Sequence, residues 1–282
     1  MHPTSNYLTC AGREIHYLEW GSGNTETVIA WHGFARTGRD MDDLAAELVT
    51  KRYRVICPDT IGRGLSQWSA APEREYRLAY YVQLAVELVD QLDVERFHWV
   101  GTSMGGAIGM LAAAGPLRRR IRCLVLNDIG PQIAQAAIER IRGYAGAPPA
   151  FATVSELEQY FRTIYKPYGW LSDSQWRRLT ESSTRRLPDG RVTPHYDPNI
   201  VMQITHHPDD SPQLWEAWDT LDRPVLCLRG ESSDLLLPET TAAMQVRGPK
   251  AQVIEVPVCG HAPALNTPEH YALVERFFVA AG

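Results

Sequence analysis

The run Gly101-Thr102-Ser103-Met104-Gly105-Gly106 stands where an apolar stretch, Phe97–Val100, gives way to small helix formers over Met104–Ala114. In a sharp strand-to-helix turn the central residue takes strained backbone angles and projects its side chain outward. Its neighbours two positions either side must be small, because backbone passes close by. Gly101 and Gly105 meet that need, so the spacing predicts a nucleophile at Ser103. The turn also aims the helix's first free N–H groups and its positive end at the reacting centre. A Gly-x-Ser-x-Gly run can be a plain glycine-rich turn, and it is the strand before and helix after it that favour the chemical reading.

A serine hydroxyl is a weak nucleophile at neutral pH and needs a base. His261, in Val258-Cys259-Gly260-His261-Ala262-Pro263, falls in a loop after the last strand-like run, where packing gives no reason for a histidine. His16 and His98 lie in strand patterns, His195, His206 and His207 in a segment without strand runs, and His270 on the final helix. A satisfied core or surface histidine is the ordinary reading for each. The base needs an acid to fix its tautomer and balance the imidazolium. Asp234 lies just beyond a strand end in Leu228-Arg229-Gly230-Glu231-Ser232-Ser233-Asp234 and is the expected acid. Glu231 directly follows the glycine turn, too close to the strand end. Asp128 ends the strand beside the elbow strand and is the alternative acid, its other expected role being a carboxylate that caps the start of the inserted segment through backbone hydrogen bonds. The developing oxyanion needs fixed donors, each worth about 3 kcal/mol of barrier. The backbone N–H groups of Met104 and of Phe34, in His32-Gly33-Phe34-Ala35, are the candidates. The side chain of His32 is expected to be structural.

These residues need strand ends to hold them. Tyr7–Trp20 reads as two short strands around a turn at Ala11-Gly12; Thr27–Trp31, Tyr53–Cys57, Phe97–Val100 and Cys123–Leu126 are short apolar strands. Helical spacing occupies Asp40–Lys51, Ala79–Leu92 and Met104–Ala114 between them. The alternation predicts a mainly parallel sheet with helices on both faces. It breaks after Pro131 and resumes with strand Val225–Leu228, helix Pro238–Gln245, strand Gln252–Val256 and helix Pro268–Ala280. The reading is one core in two parts, residues 1–131 and 219–282, with a largely helical cap at 132–218.

The 282 residues, 44% apolar and 22% charged, have ordinary globular composition and are long enough to fold without disulfides or a structural metal. A net charge of −5 gives no reason to expect nucleic acid or an anionic membrane as partner. The five cysteines are odd in number, lack a Cys-x-x-Cys pair and fall mostly in apolar runs, as buried reduced thiols would. No signal-peptide core or long apolar run is present, so the expectation is a cytoplasmic protein.

Together these features resemble the α/β-hydrolase superfamily across nearly the whole chain: His32-Gly33-Phe34, Pro58-Asp59 with Gly62-Arg63-Gly64-Leu65-Ser66, the elbow at Ser103, Asp234 after Arg229-Gly230, and the closing Gly260-His261. The order Ser103, Asp234, His261 is the chain order of that superfamily. The resemblance implies a mostly parallel eight-stranded sheet and a helical cap inserted after the sixth strand. An aspartate at the elbow would point to haloalkane dehalogenases or epoxide hydrolases, and Ser103 excludes that chemistry. The C–C hydrolases of aromatic ring degradation look similar in length and in the Ser-Met-Gly-Gly stretch. They usually carry Gly-Pro-Gly after the first His-Gly, where this chain has Phe34-Ala35-Arg36-Thr37-Gly38.

The implied activity is hydrolysis of a carboxylic ester or lactone of a small, largely apolar substrate through an acyl-enzyme on Ser103, with no cofactor or metal. The alternatives are C–C bond hydrolysis of a ring-fission diketone and a receptor that keeps the triad but mainly binds its ligand. A small molecule is the expected partner; monomer and homodimer both remain open. The inserted segment is rich in aromatic residues, of which Tyr144, Tyr165 and Trp170 are candidates for the pocket wall, though more than half of the rings are expected to pack the segment onto the core. Its arginines read as a solvated face. Arg36, beside the oxyanion loop, is a candidate for binding a substrate carboxylate.

Overall fold

The structure, a computed structural model, describes residues 2–205 and 214–281; His206 and His207 lie outside the described residues. Thr4–Cys10 (β1) and Arg13–Trp20 (β2) form an antiparallel hairpin. Glu26–Trp31 (β3), Asp42–Thr50 (α1), Tyr53–Pro58 (β4), Pro72–Glu75 (α2), Leu78–Gln91 (α3), Phe97–Thr102 (β5), Met104–Ala114 (α4) and Ile121–Asn127 (β6) follow. An inserted stretch then carries Gln135–Ala145 (α5), Val154–Ile164 (α6), Asp173–Ser182 (α7), the strands Thr184–Arg186 (β7) and Val192–Pro194 (β8), Met202–Thr205 (α8) and Trp215–Thr220 (α9). The chain returns with Val225–Gly230 (β9), Pro238–Val246 (α10), Gln252–Val256 (β10) and Pro268–Ala281 (α11).

The main sheet has eight strands in the order β1-β2-β4-β3-β5-β6-β9-β10. Only the β1–β2 and β2–β4 pairings are antiparallel; the others are parallel. Alternation along each strand feeds two cores. Ile29, Trp31, Phe97 and Trp99 face the layer that contains α3 and α4. Val28, Ala30 and Val100 face α1 and α11. This period of two, buried on both sides, is why the strands read as short continuous apolar runs.

The inserted stretch has its own small core of Leu157, Phe161, Tyr165, Trp176, Leu179 and Val192. Tyr196 and Trp218 instead join the main core. Helices α6 and α7 start at capping boxes, Thr153 with Glu156 and Ser172 with Gln175, in which side chain and backbone satisfy each other's free groups. The β7–β8 hairpin adds two short strands to a stretch read from the sequence as largely helical. Its members are three residues each, too short to show a period of two.

The strand–turn–helix at residues 101–105 is held by close backbone packing. A Cβ on Gly101 would lie 2.3 Å from the Gly105 carbonyl carbon, and one on Gly105 would lie 2.2 Å from the Trp31 carbonyl oxygen. Trp99 adds its Nε1–H, which donates to the Gly105 carbonyl at 2.9 Å. Backbone cannot yield as a flexible side chain can. Gly105→Ala is therefore expected to cost about 3 kcal/mol or more, seen as a lower urea midpoint. An unchanged midpoint would show that β3 and α4 are not packed as described.

Candidate active site

Ser103 caps the start of α4 at φ 50° and ψ −115°, a region few residues other than glycine enter. Its N–H donates to the Asn127 carbonyl at 3.0 Å, which ties the turn to the end of β6. His261 reaches it from the loop after β10, with Nε2 at 3.0 Å from Ser103 Oγ. The other ring nitrogen, Nδ1, lies 2.7 Å from Asp128 Oδ2. Asp128 is fully buried. Its Oδ1 accepts from Gly230 N–H at 2.7 Å, and its Oδ2 accepts from Ser233 Oγ–H at 2.5 Å. A carboxylate so held is fixed in position and oriented along the histidine ring.

The carboxylate beside His261 is thus Asp128 and not Asp234, where the sequence reading expected the acid. Asp234 has a side chain 52% exposed and makes a two-pronged ion pair with Arg140 of α5, at 2.7 and 2.9 Å. The turn after β9 directs Ser233 inward, and Ser233 supports Asp128 in place of supplying a carboxylate. Position 234 then faces solvent. Asp128, the alternative, meets the histidine because β6 lies between the elbow strand β5 and β9. Its backbone partner is the Gly230 N–H at the end of β9, so the carboxylate does not cap the start of the inserted stretch as its other expected role would have it.

Phe34 and Met104, the residues expected to supply N–H donors, line a cavity together with Ser103. Met104 opens α4, so its N–H has no intrahelical acceptor. Among the described residues the Phe34 N–H has no backbone acceptor. His32 explains how the Phe34 peptide is set. It is fully buried, its Nδ1 lies 2.6 Å from the Gly33 carbonyl, and its Nε2 accepts from Thr60 N–H at 2.9 Å. That requires the neutral Nδ1–H tautomer. The Gly33 carbonyl and the Phe34 N–H belong to one peptide unit, so holding one end aims the other. Burial pushes the His32 pKa down to about 4.

Sequence reasoning missed a second support, Arg63. Fully buried, its Nε donates to the Phe34 carbonyl at 2.8 Å and its Nη1 to Ile61 O and Tyr81 Oη; Nη2 lies 3.6 Å from Met104 Sδ. One guanidinium thus touches both residues that carry the free N–H groups. The loop bearing it is pinned by Asp59, which accepts from Gly38 N–H at 2.6 Å and Leu65 N–H at 2.9 Å. Burial alone would raise the Asp59 pKa, but the hydrogen bond and charge of His16 overcome it and hold the carboxyl below its ordinary value. The quoted run Gly62-Arg63-Gly64 was the available signal, but nothing in it reveals a contact with Phe34.

Two cavities meet at Ser103. One, about 610 Å³, is walled by Leu78, Ala107, Ile129, Ile138 and Ile141, with Gln203 the one polar side chain besides Ser103 among the described lining residues. The other, about 490 Å³, is lined by Ser103, His261, Arg36, Arg140 and the rings of Tyr144, Tyr165 and Tyr168. Arg36, Tyr144 and Tyr165, the sequence's candidates for the pocket, line this cavity. Trp170 does not: it is 73% exposed and lines neither cavity, because Gly169 turns the chain outward at φ 89°. The segment around Tyr168 is tied to the histidine loop, through Gly260 N–H to Pro167 O at 2.7 Å and Ala264 N–H to Tyr168 O at 3.2 Å. The arginines Arg162, Arg178 and Arg191 pair with carboxylates away from Ser103. All five cysteines are buried and free. Among the described residues no group of three or more His, Cys, Asp or Glu converges to hold a metal ion, and no helix is long and apolar enough to cross a membrane.

This arrangement can activate a hydroxyl and hold a developing oxyanion. Comparison with known proteins agrees in kind. The model of the alpha/beta hydrolase family matches residues 28–273. A 3-hydroxybutyrate-oligomer hydrolase of Cupriavidus necator is 40% identical over 99% of both chains. A non-heme chloroperoxidase of Burkholderia pyrrocinia is 32% identical over 82% of this chain and 83% of its own. The crystal structure of an alpha/beta hydrolase from Novosphingobium aromaticivorans superposes with a TM-score of 0.86 at 33% identity, covering 99% of each chain.

Two outcomes follow. A fluorophosphonate probe should label Ser103 about 10³- to 10⁴-fold more slowly in Asp128→Asn, since the amide would hold the wrong tautomer, and at the wild-type rate in Asp234→Asn; the reverse ranking would move the acid back to Asp234. Stability should also depend on His32. An unfolded histidine takes a proton near pH 6.5, whereas this one stays neutral down to about pH 4. The unfolded chain binds the extra proton in that window, so the contribution is whole above pH 6.5 and lost as pH falls toward 4. Urea midpoints should drop across that window, and the drop should be shallower, by about one proton, in His32→Gln. An equal slope in both proteins would contradict the buried neutral ring.

Proposed function

We propose, on the premise that this chain belongs to the alpha/beta hydrolase family, that it is a serine esterase cleaving short esters of hydroxy acids through an acyl-enzyme on Ser103. The observation that carries the reading is the unbroken path from Asp128 through His261 to Ser103 Oγ, opening on two cavities. The ester preference is supported by the activity named for the 40% identical relative.

The steps use groups already in place. Ser103 Oγ attacks the ester carbonyl while His261 Nε2 takes its proton. Asp128 holds Nδ1–H and balances the imidazolium. The N–H groups of Met104 and Phe34 receive the oxyanion, with His32 and Arg63 as positioning residues. The alcohol leaves with the proton from His261, and water activated by the same ring then releases the acid. The inserted stretch acts as a cap: α5 and the Tyr165–Tyr168 segment wall the cavities, and its bonds to residues 260 and 264 keep the histidine loop in register.

Ser103→Ala should lower kcat on p-nitrophenyl butyrate and on the linear 3-hydroxybutyrate dimer by about 10⁶-fold, with circular dichroism unchanged. Retained turnover would remove Ser103 from the reaction. Faster turnover of a ring-fission diketone than of any ester would replace the esterase reading with the C–C hydrolase.

A further inference from the structure

The two cavities differ in chemistry. The first has an aliphatic wall and, among its described lining residues, no charged side chain. The second contains two arginines and, among its described lining residues, no carboxylate. Only the second is lined by His261. Since His261 must hand its proton to the departing oxygen, the leaving alcohol belongs on the His261 side and the acyl chain on the aliphatic side.

Arg36 gives the His261 side a specific ligand preference. The side chain is 3% exposed, with Nε and Nη2 paired to Asp40 at 2.8 and 2.6 Å. Its guanidinium lies over the Tyr165 ring, 4.6 Å from the centroid, so its plane is fixed. The remaining nitrogen, Nη1, is buried and has no hydrogen-bond partner among the described residues. A buried donor left unpaired is costly, and a guanidinium edge matches a carboxylate. Arg140, whose charge is met by Asp234 at the surface, adds positive potential to the same wall.

We propose that Arg36 Nη1 receives the free carboxylate of the leaving group, so that the enzyme works from the carboxyl end of an oligoester and releases one hydroxy acid per turn. This rests on the esterase reading of Ser103 and deepens it. The terminal ester carbonyl carbon bonds to Ser103 Oγ, and its bond to the terminal unit's oxygen breaks. That oxygen takes the proton held on His261, and the hydroxy acid departs with its carboxylate still ionised. Water then cleaves the acyl-enzyme, giving the shortened oligomer as its acid. Nothing is oxidised or reduced.

The test uses linear 3-hydroxybutyrate tetramers in three forms: free acid, methyl ester at the carboxyl end, and acetyl cap at the hydroxyl end. Wild-type protein should prefer the free acid over the methyl ester by about 10- to 100-fold in kcat/KM. It should accept the acetyl cap within about 3-fold, and its first products from the free acid should be monomer and trimer. In Arg36→Gln the ratio of free acid to methyl ester should fall to about one, a quantity independent of how much folded enzyme is present. Equal wild-type rates on acid and methyl ester, dimers as first products, or a preference that survives in Arg36→Gln would overturn the assignment while leaving the esterase intact. Failure of wild-type protein to cleave any of the three would overturn the esterase reading itself, and the assignment with it.

Discussion

The bond between His261 Nδ1 and Asp128 Oδ2 joins residues 133 positions apart, and the contact between His261 Nε2 and Ser103 spans 158. Three loops at one end of the sheet must arrive together for either to form. The parallel arrangement of β5, β6, β9 and β10 supplies this, because it places their chain ends on one side of the sheet. The buried carboxylate would be unfavourable alone. Gly230 N–H, Ser233 Oγ–H and the histidine share its lone pairs, so burial sharpens its position.

Around that path sits a ring of polar groups whose side chains bond to neither Ser103 Oγ nor the His261 ring. His32 fixes one end of the Gly33–Phe34 peptide and Arg63 grips the next carbonyl along, Phe34 O. Asp59 secures the loop from which Arg63 extends. Asn127 donates to the Pro263 carbonyl at 2.8 Å, so the end of β6 also restrains the histidine loop. Fixing donors this way means little reorganisation is needed when charge develops on a substrate oxygen. The inserted stretch supplies different material: aromatic rings and α5, which decide what can lie beside Ser103.

The elements of the sheet were legible because the central strands are short apolar runs and helices such as α1 and α3 are amphipathic, with α4 marked instead by its small residues. Ser103 and His261, the proposed nucleophile and base, were legible as well. Ser103 sits between glycines that only a tight turn needs, and His261 has no packing reason to be in its loop. The acid was not. Asp128 and Asp234 both follow strands, and choosing between them depends on which way a four-residue turn after Gly230 points its side chains. Ser233 bonds to Asp128 and Arg140 captures Asp234, contacts of 105 and 94 residues' separation that leave no local trace in the sequence. Arg63 was hidden for a related reason: its partners are carbonyls and rings, which carry no sequence signature. Trp170 failed as a pocket residue because richness in aromatics says nothing of which ring faces in.

The most direct measurement is the proton spectrum of the His261 ring in ¹⁵N-histidine-labelled protein. A strongly downfield Nδ1–H resonance is expected to persist in Asp234→Asn and to be lost or move sharply upfield in Asp128→Asn. A resonance that survives removal of the Asp128 carboxylate, or disappears with that of Asp234, would contradict the pairing of His261 with Asp128.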